Sequence, residues 1–197
     1  MYLIGVTGHS GSGKSEFGKI LSQTNPKIGV FTLDTLWFHV VYENKERMVG
    51  HFGKKIFDND GILDFHHYCA SPESEVDLCF VWIKPIMMKY FRKHIKELSD
   101  IYDIVIVDFL ALPDTPIWEE CNSRVFIDTD MEKRHAILTS RDWMPCTLEQ
   151  AVIRDAQIAH HWKAIGKRFV VLYNDYTRKF RTDVLELYGE IQKELLR

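Results

Sequence analysis

Short apolar runs separated by stretches of helical periodicity organise the chain. Tyr2–Val6, Ile104–Val107, Val125–Ile127 and Phe169–Tyr173 are β-branched or aromatic without polar alternation, and Lys27–Leu33 is a weaker run of the same kind. Unbroken apolarity over so few residues predicts strands covered on both faces. Ser15–Gln23 sets Phe17, Ile20 and Leu21 on one side of a helix. Ile83, Met87, Tyr90, Phe91, His94 and Leu98 keep helical spacing, and Pro85 then falls in the first turn, where a missing N–H is tolerated. A further helix pattern spans 130–142. Leu148, Ala151, Val152, Ala159 and Trp162 make the next one, and Phe180, Val184, Leu187, Tyr188, Ile191 and Leu195 the last. Strands alternating with helices predict βαβ units, hence a parallel sheet with helices on both sides. Between about 36 and 100 helix dominates, which predicts a helical excursion beside the sheet.

Composition narrows the class without changing this picture. The 197 residues are 46% hydrophobic and 27% charged, with no repeat or Pro/Gly/Ser linker, so one globular domain over 1–197 is expected. Lys plus Arg is 25 against 28 Asp plus Glu, a net charge of −3, and this lack of basic surplus argues against nucleic acid or an acidic membrane as partner. Leu78–Ile83, one of the longest apolar stretches, falls far short of the ~20 residues a bilayer span needs. Tyr2–Val6 runs straight into a glycine-rich turn, so it reads as a strand and not as a signal peptide. Cys69, Cys79, Cys121 and Cys146 contain no CxxC pair, the usage of reduced thiols in a cytoplasmic protein. His66-His67-x-Cys69 lacks a second cluster to complete four ligands, and with His160-His161 reads as ordinary packing or surface histidine.

One motif carries specific chemistry. Gly8-His9-Ser10-Gly11-Ser12-Gly13-Lys14-Ser15 satisfies G-x-x-x-x-G-K-[ST], with an apolar strand before it and an amphipathic helix after it. Glycines let successive backbone N–H groups turn inward on phosphate oxygens, and the helix N-terminus adds a favourable partial charge. Lys14 can reach the β- and γ-phosphates, and the Ser15 hydroxyl can ligate Mg²⁺.

Three further elements bear on what is done with a bound nucleotide. Asp34 ends the second strand run, at the edge where α/β sheets bind ligands, and can accept a proton from an acceptor hydroxyl; it is equally placed, with Thr35, to cap the next helix. Asp108 closes Ile104–Val107 in the pattern of a carboxylate that holds Mg²⁺. Arg134, Arg141 and Arg154 lie in the late helix patterns, where a guanidinium can close over charge developing in phosphoryl transfer. No [NT]KxD run and no LSGGQ-like run occurs, which weighs against a GTPase and an ABC-type ATPase.

On these residues the chain resembles the dephospho-coenzyme A kinases. Gly5 to Ser15 is similar to the family's opening, and Leu33-Asp34 to its strand-end general base. Phe52-Gly53-Lys54-Lys55-Ile56 followed by Gly61-Ile62-Leu63-Asp64 is similar to its FG…I…G.LD passage. Val105–Asp108 with Leu110-Ala111-Leu112, then Arg124–Asp128, Arg141-Asp142, Gln157 and Asn174, follow at nearly the family's spacing. It departs at Leu110, Lys84-Pro85, Ile137, Arg154 and Asp175, the changes of a divergent member or of a relative with another acceptor.

The resemblance implies a three-layer α/β P-loop NTPase fold with a mainly parallel five-stranded sheet, an acceptor-binding subregion over 36–100 and a lid over 130–165. It implies ATP and Mg²⁺ as cofactors, with Phe17 and Asn174 joining the loop in nucleotide binding. Lys14, Asp34 and Arg141 would serve catalysis, Ser15 and Asp108 the metal, and Trp37, His39, Lys54 and Lys84 the acceptor. The expected protein is a monomer or small homo-oligomer. A nucleoside or nucleoside-monophosphate kinase, and a non-catalytic ATP-binding regulatory protein, are the alternatives.

Overall fold

In the computed structural model, which describes residues 1–64, 67–68, 71, 73–140, 147–158 and 169–196, strand β1 (Tyr2–Gly8) runs through the middle of a five-stranded sheet. β2 (Ile28–Thr32), β3 (Ile104–Asp108), β4 (Ser123–Asp128) and β5 (Val170–Tyr173) complete it in the order β2-β3-β1-β4-β5, with every pairing parallel. Val6 is registered with Asp108, Thr32 with Asp108, and Gly8 with Ile127, so these strand ends share the carboxyl edge of the sheet. Ligands of open α/β sheets bind outside this edge.

The described residues divide into two compact units, Met1–Thr32 with Glu97–Arg197, and Leu33–Lys96. In the first, α1 (Lys14–Thr24) and α8 (Arg178–Leu195) enclose a core of Ile4, Val6, Phe17, Leu21, Val125, Ile127, Phe180 and Val184. Side chains alternate along a strand, so Gly5 looks the other way, toward Leu112 and Cys121 of the segment that holds α5 (Pro116–Glu120). Here too lie α6 (Met131–Thr139) and α7 (Leu148–Ile158). Asp130 caps α6, its carboxylate accepting the amides of Glu132 at 2.9 Å and Lys133 at 3.2 Å. In the second unit, α2 (Leu33–Glu43) and α3 (Lys45–Phe52) lead to most of a long helix, α4 (Glu73–Ser99). Among the described residues no helix is long and apolar enough to cross a membrane.

Three expectations are corrected. α4 begins ten residues before Ile83, so Pro85 sits inside the helix and not in its first turn. Pro85 and Val81, whose carbonyl loses its i+4 donor, are both exposed, so water can satisfy the freed group. Leu33 belongs to α2 and not to the second strand. β5 is not covered on both faces: Val170, Val171 and Tyr173 are exposed on this last strand, which pairs with β4 alone.

Candidate phosphate and cation site

Gly8 ends β1 and Gly13 precedes α1, and both hold positive φ, at 144° and 104°. A Cβ on Gly8 would overlap the Ile127 carbonyl, and one on Gly13 would overlap the Asn174 side chain. Glycine is therefore required at both corners for steric reasons as well as conformational ones.

Three carbonyls between these corners, those of Ser10, Gly11 and Ser12, are each taken by a side-chain donor from elsewhere in the same unit. Arg134 on α6 donates Nη1 to the Ser10 carbonyl at 3.1 Å. The Tyr176 hydroxyl donates to the Gly11 carbonyl at 2.6 Å, and Asn174 Nδ2 to the Ser12 carbonyl at 2.8 Å. Because a trans peptide is planar, with its C=O and N–H on opposite sides, holding the carbonyls of Ser10 and Ser12 aims the amides of Gly11 and Gly13 the other way. The Ser12 amide closes a turn on the His9 carbonyl at 3.1 Å. The result is a concavity lined by N–H groups at the start of α1, an arrangement that binds anions.

Lys14 lies inside it, 8% exposed, with Nζ 3.0 Å from the carbonyls of both Gly8 and His9. A charged amine so buried is held by charge-assisted bonds to backbone oxygens, and phosphate oxygens can take their place. Asp108, 1% exposed at the end of β3, accepts the Ser15 hydroxyl on Oδ2 at 3.4 Å. Burial pushes its carboxyl above the ordinary range, against the lowering effects of the Lys14 charge and the Ser15 hydrogen bond. Asp108 Oδ1 is buried and carries no hydrogen bond. A buried, unsatisfied carboxylate oxygen beside a hydroxyl is an oxygen donor set that fits a small hard cation such as Mg²⁺.

Asn174 is wedged against this loop from outside. Its Oδ1 accepts the Tyr176 amide at 2.8 Å and its own carbonyl accepts the Thr129 hydroxyl at 2.7 Å. With both ends of its amide engaged, it braces the loop. Phe17 is fully buried in the sheet core. His9 turns toward α7, its Nδ1 2.9 Å from Asp155 Oδ1.

Arg134, a candidate guanidinium for the reaction by its place in the late helix patterns, is committed in the structure to Asp155 and the Ser10 carbonyl. Asp155 and Tyr176 were not singled out at all. The only signal for them was position, two polar residues on elements that pass the loop, and that is visible after folding. Arg141 lies outside the described residues.

In the second unit, Asp34 is exposed in the first turn of α2, one residue inside the helix. Its carboxylate favours the partial positive charge of that turn. His39 is exposed, 3.3 Å from Glu43 and edge-on to Tyr90, whose hydroxyl donates to Glu43 at 2.7 Å. Lys54 is exposed on a single 3₁₀ turn, Lys54–Ile56. Lys84 sits 5.2 Å from the Phe80 ring. Trp37, expected at an acceptor, is a core residue, 7% exposed and packed edge-on against Phe38 and Tyr68.

No protein-family model matches the chain, and no curated protein matches it. Solved structures do. TT1252 from Thermus thermophilus superposes with a TM-score of 0.73 at 18% identity, covering 98% of this chain and 97% of its own. A dephospho-CoA kinase from Campylobacter jejuni matches at a TM-score of 0.56 and 17% identity, with 96% of each chain covered. A shikimate kinase from Bacteroides thetaiotaomicron follows at 0.58 and 12%, with 98% of each covered. The chain has the fold of the P-loop kinases. At these identities the likeness concerns backbone architecture. The chemistry must be argued from this chain's own residues.

Proposed function

We propose that the chain is an ATP-dependent small-molecule kinase whose acceptor is dephospho-CoA, phosphorylated on its ribose 3′-hydroxyl. The observation that carries the kinase reading is the pairing of Ser15 with a buried, half-satisfied Asp108 beside the Lys14 concavity. Binding a phosphate needs only the loop; a cation held next to it serves transfer of the terminal phosphoryl group. In this reading Lys14 and the loop amides hold the β- and γ-phosphates. Ser15 and Asp108 would hold Mg²⁺, which would neutralise charge on the phosphate oxygens. Asp34 takes the proton of the acceptor hydroxyl.

The second unit supports this acceptor. The Phe52–Ile56 and Gly61–Asp64 passages, similar to the dephospho-CoA kinase pattern, form one folded feature. Phe57 bridges to Leu63 in antiparallel fashion, and the Asp64 amide donates to the Ile56 carbonyl at 2.8 Å. Gly53 and Gly61 hold positive φ at 82° and 79°, which explains glycine at those places in the pattern. Lys45, Lys54 and Lys84 in this unit are cations suited to a pyrophosphate.

A coupled ADP-release assay with dephospho-CoA, nucleosides, nucleoside monophosphates, pantothenate and shikimate tests both levels. Mg²⁺-dependent release with dephospho-CoA well above every other acceptor is the expected result. Release with another acceptor alone overturns the substrate, and release with none overturns the kinase reading.

A further inference from the structure

Arg134 is 2% exposed on α6, while its helix neighbours Glu132, Lys133, Ala136 and Ile137 are exposed. A guanidinium keeps its charge in proteins, so burial is costly unless every face is answered. Three acceptors answer the two terminal nitrogens of this one, while its Nε is buried without a hydrogen bond. Nη1 donates to the Ser10 carbonyl at 3.1 Å and to Asp155 Oδ1 at 3.2 Å, and Nη2 donates to Asp155 Oδ2. Asp155 stands on α7, and its Oδ1 also meets His9 Nδ1 at 2.9 Å. Burial raises the tendency of Asp155 to hold a proton, but the hydrogen bonds and charges of His9 and Arg134 outweigh it and keep the carboxyl below the ordinary range. Residues from two late helices thus converge on the first two variable positions of the phosphate loop.

We propose that Arg134 and Asp155 are positioning residues for the nucleotide: the pair clamps the Ser10 carbonyl outward, so that the Gly11 amide faces the phosphates, and it couples nucleotide affinity to the seating of α7. The inference rests on the nucleotide-binding part of the reading above. Neither residue touches the nucleotide. Arg134 acts through the planarity of the Ser10–Gly11 peptide, and Asp155 acts by fixing the guanidinium with a two-pronged bond that a lysine cannot reproduce. Coupling of this kind is reciprocal. If seating α7 improves phosphate binding, phosphate binding must seat α7 by the same factor.

The test uses the full chain with Asp155→Asn and Arg134→Lys, ADP with Mg²⁺ as the calorimetric probe, and hydrogen exchange over 148–158 with and without ADP. The expected results are an ADP Kd raised about tenfold in both variants and an ATP KM raised in parallel. At saturating ATP, kcat should change less than threefold. ADP should also slow exchange of α7 in the wild type, and less in each variant. A folded variant that melts lower but binds ADP within twofold of wild type overturns the positioning role and leaves a purely structural ion pair. If neither variant folds, wild-type exchange decides, and α7 exchange unchanged by saturating ADP overturns the coupling. A wild type that binds no ADP overturns the nucleotide reading itself, a result distinct from normal wild-type binding with unaffected variants.

Discussion

In the unit that carries the phosphate loop, Lys14, Asp108, Arg134 and Asp155 are all buried, and each meets a polar partner within that unit. In Leu33–Lys96 Lys45, Arg47 and Lys84 lie at or near the surface and lean over rings, Lys45 4.6 Å from Phe57, Arg47 4.3 Å from Trp82 and Lys84 5.2 Å from Phe80. The first arrangement has its orientation built in before any ligand arrives, and low local dielectric magnifies each interaction. The second keeps its charges hydrated on long, mobile stems, where a cation over a ring is worth only about 0.5–1 kcal/mol. Substitutions in the first unit should therefore be severe and those on the second unit's surface mild.

Lys14→Ala is the largest expected break. It removes the charge on the transferring phosphates, and by analogy with other cations at such sites turnover should fall by about 10³–10⁵-fold. Circular dichroism should show the fold retained. Near-normal turnover in a steady-state assay would remove the loop from the chemistry.

Asp34→Asn cuts across the comparison, because it alters an exposed residue of the second unit yet should act strongly. Loss of a general base costs about 10²–10⁴-fold in kcat, so kcat should fall by that range, with ADP affinity by calorimetry unchanged. A fall in melting temperature with kcat retained would mark it instead as a helix-terminus residue.

Lys84→Ala is the smallest expected effect and sharpens the comparison most. Loss of one partly exposed cation is worth about 1 kcal/mol, so KM for dephospho-CoA should rise around fivefold. KM for ATP should stay within twofold. Equal shifts in both, measured by initial rates, would place Lys84 outside acceptor binding.

The motif Gly8–Ser15, the strand that ends in Asp108 and the alternation of strands and helices were all legible along the chain. Each is set by local rules: glycine at positive-φ corners, apolar runs that must be buried, helical spacing of Phe180, Val184 and Leu187. Phe17 lies in the sheet core, as its place on the apolar side of the Ser15–Gln23 pattern predicts; its nucleotide role comes from the resemblance and not from the spacing. Trp37 was misassigned, since an aromatic near a strand end serves equally as ligand platform or as packing.

Local patterning was thus sufficient to specify that a glycine-rich turn joins β1 to α1, which strand ends in the buried Asp108, and that the sheet is parallel. It could not specify what holds the turn open. Arg134, Asp155, Asn174 and Tyr176 meet the loop across separations of 124 to 165 residues, or 146 in the contact of Asp155 with His9. No short-range spacing rule reaches across such intervals. Those partners are chosen by which segments the folded sheet brings beside the loop, and by the cost of leaving its buried carbonyls unpaired once water has been excluded.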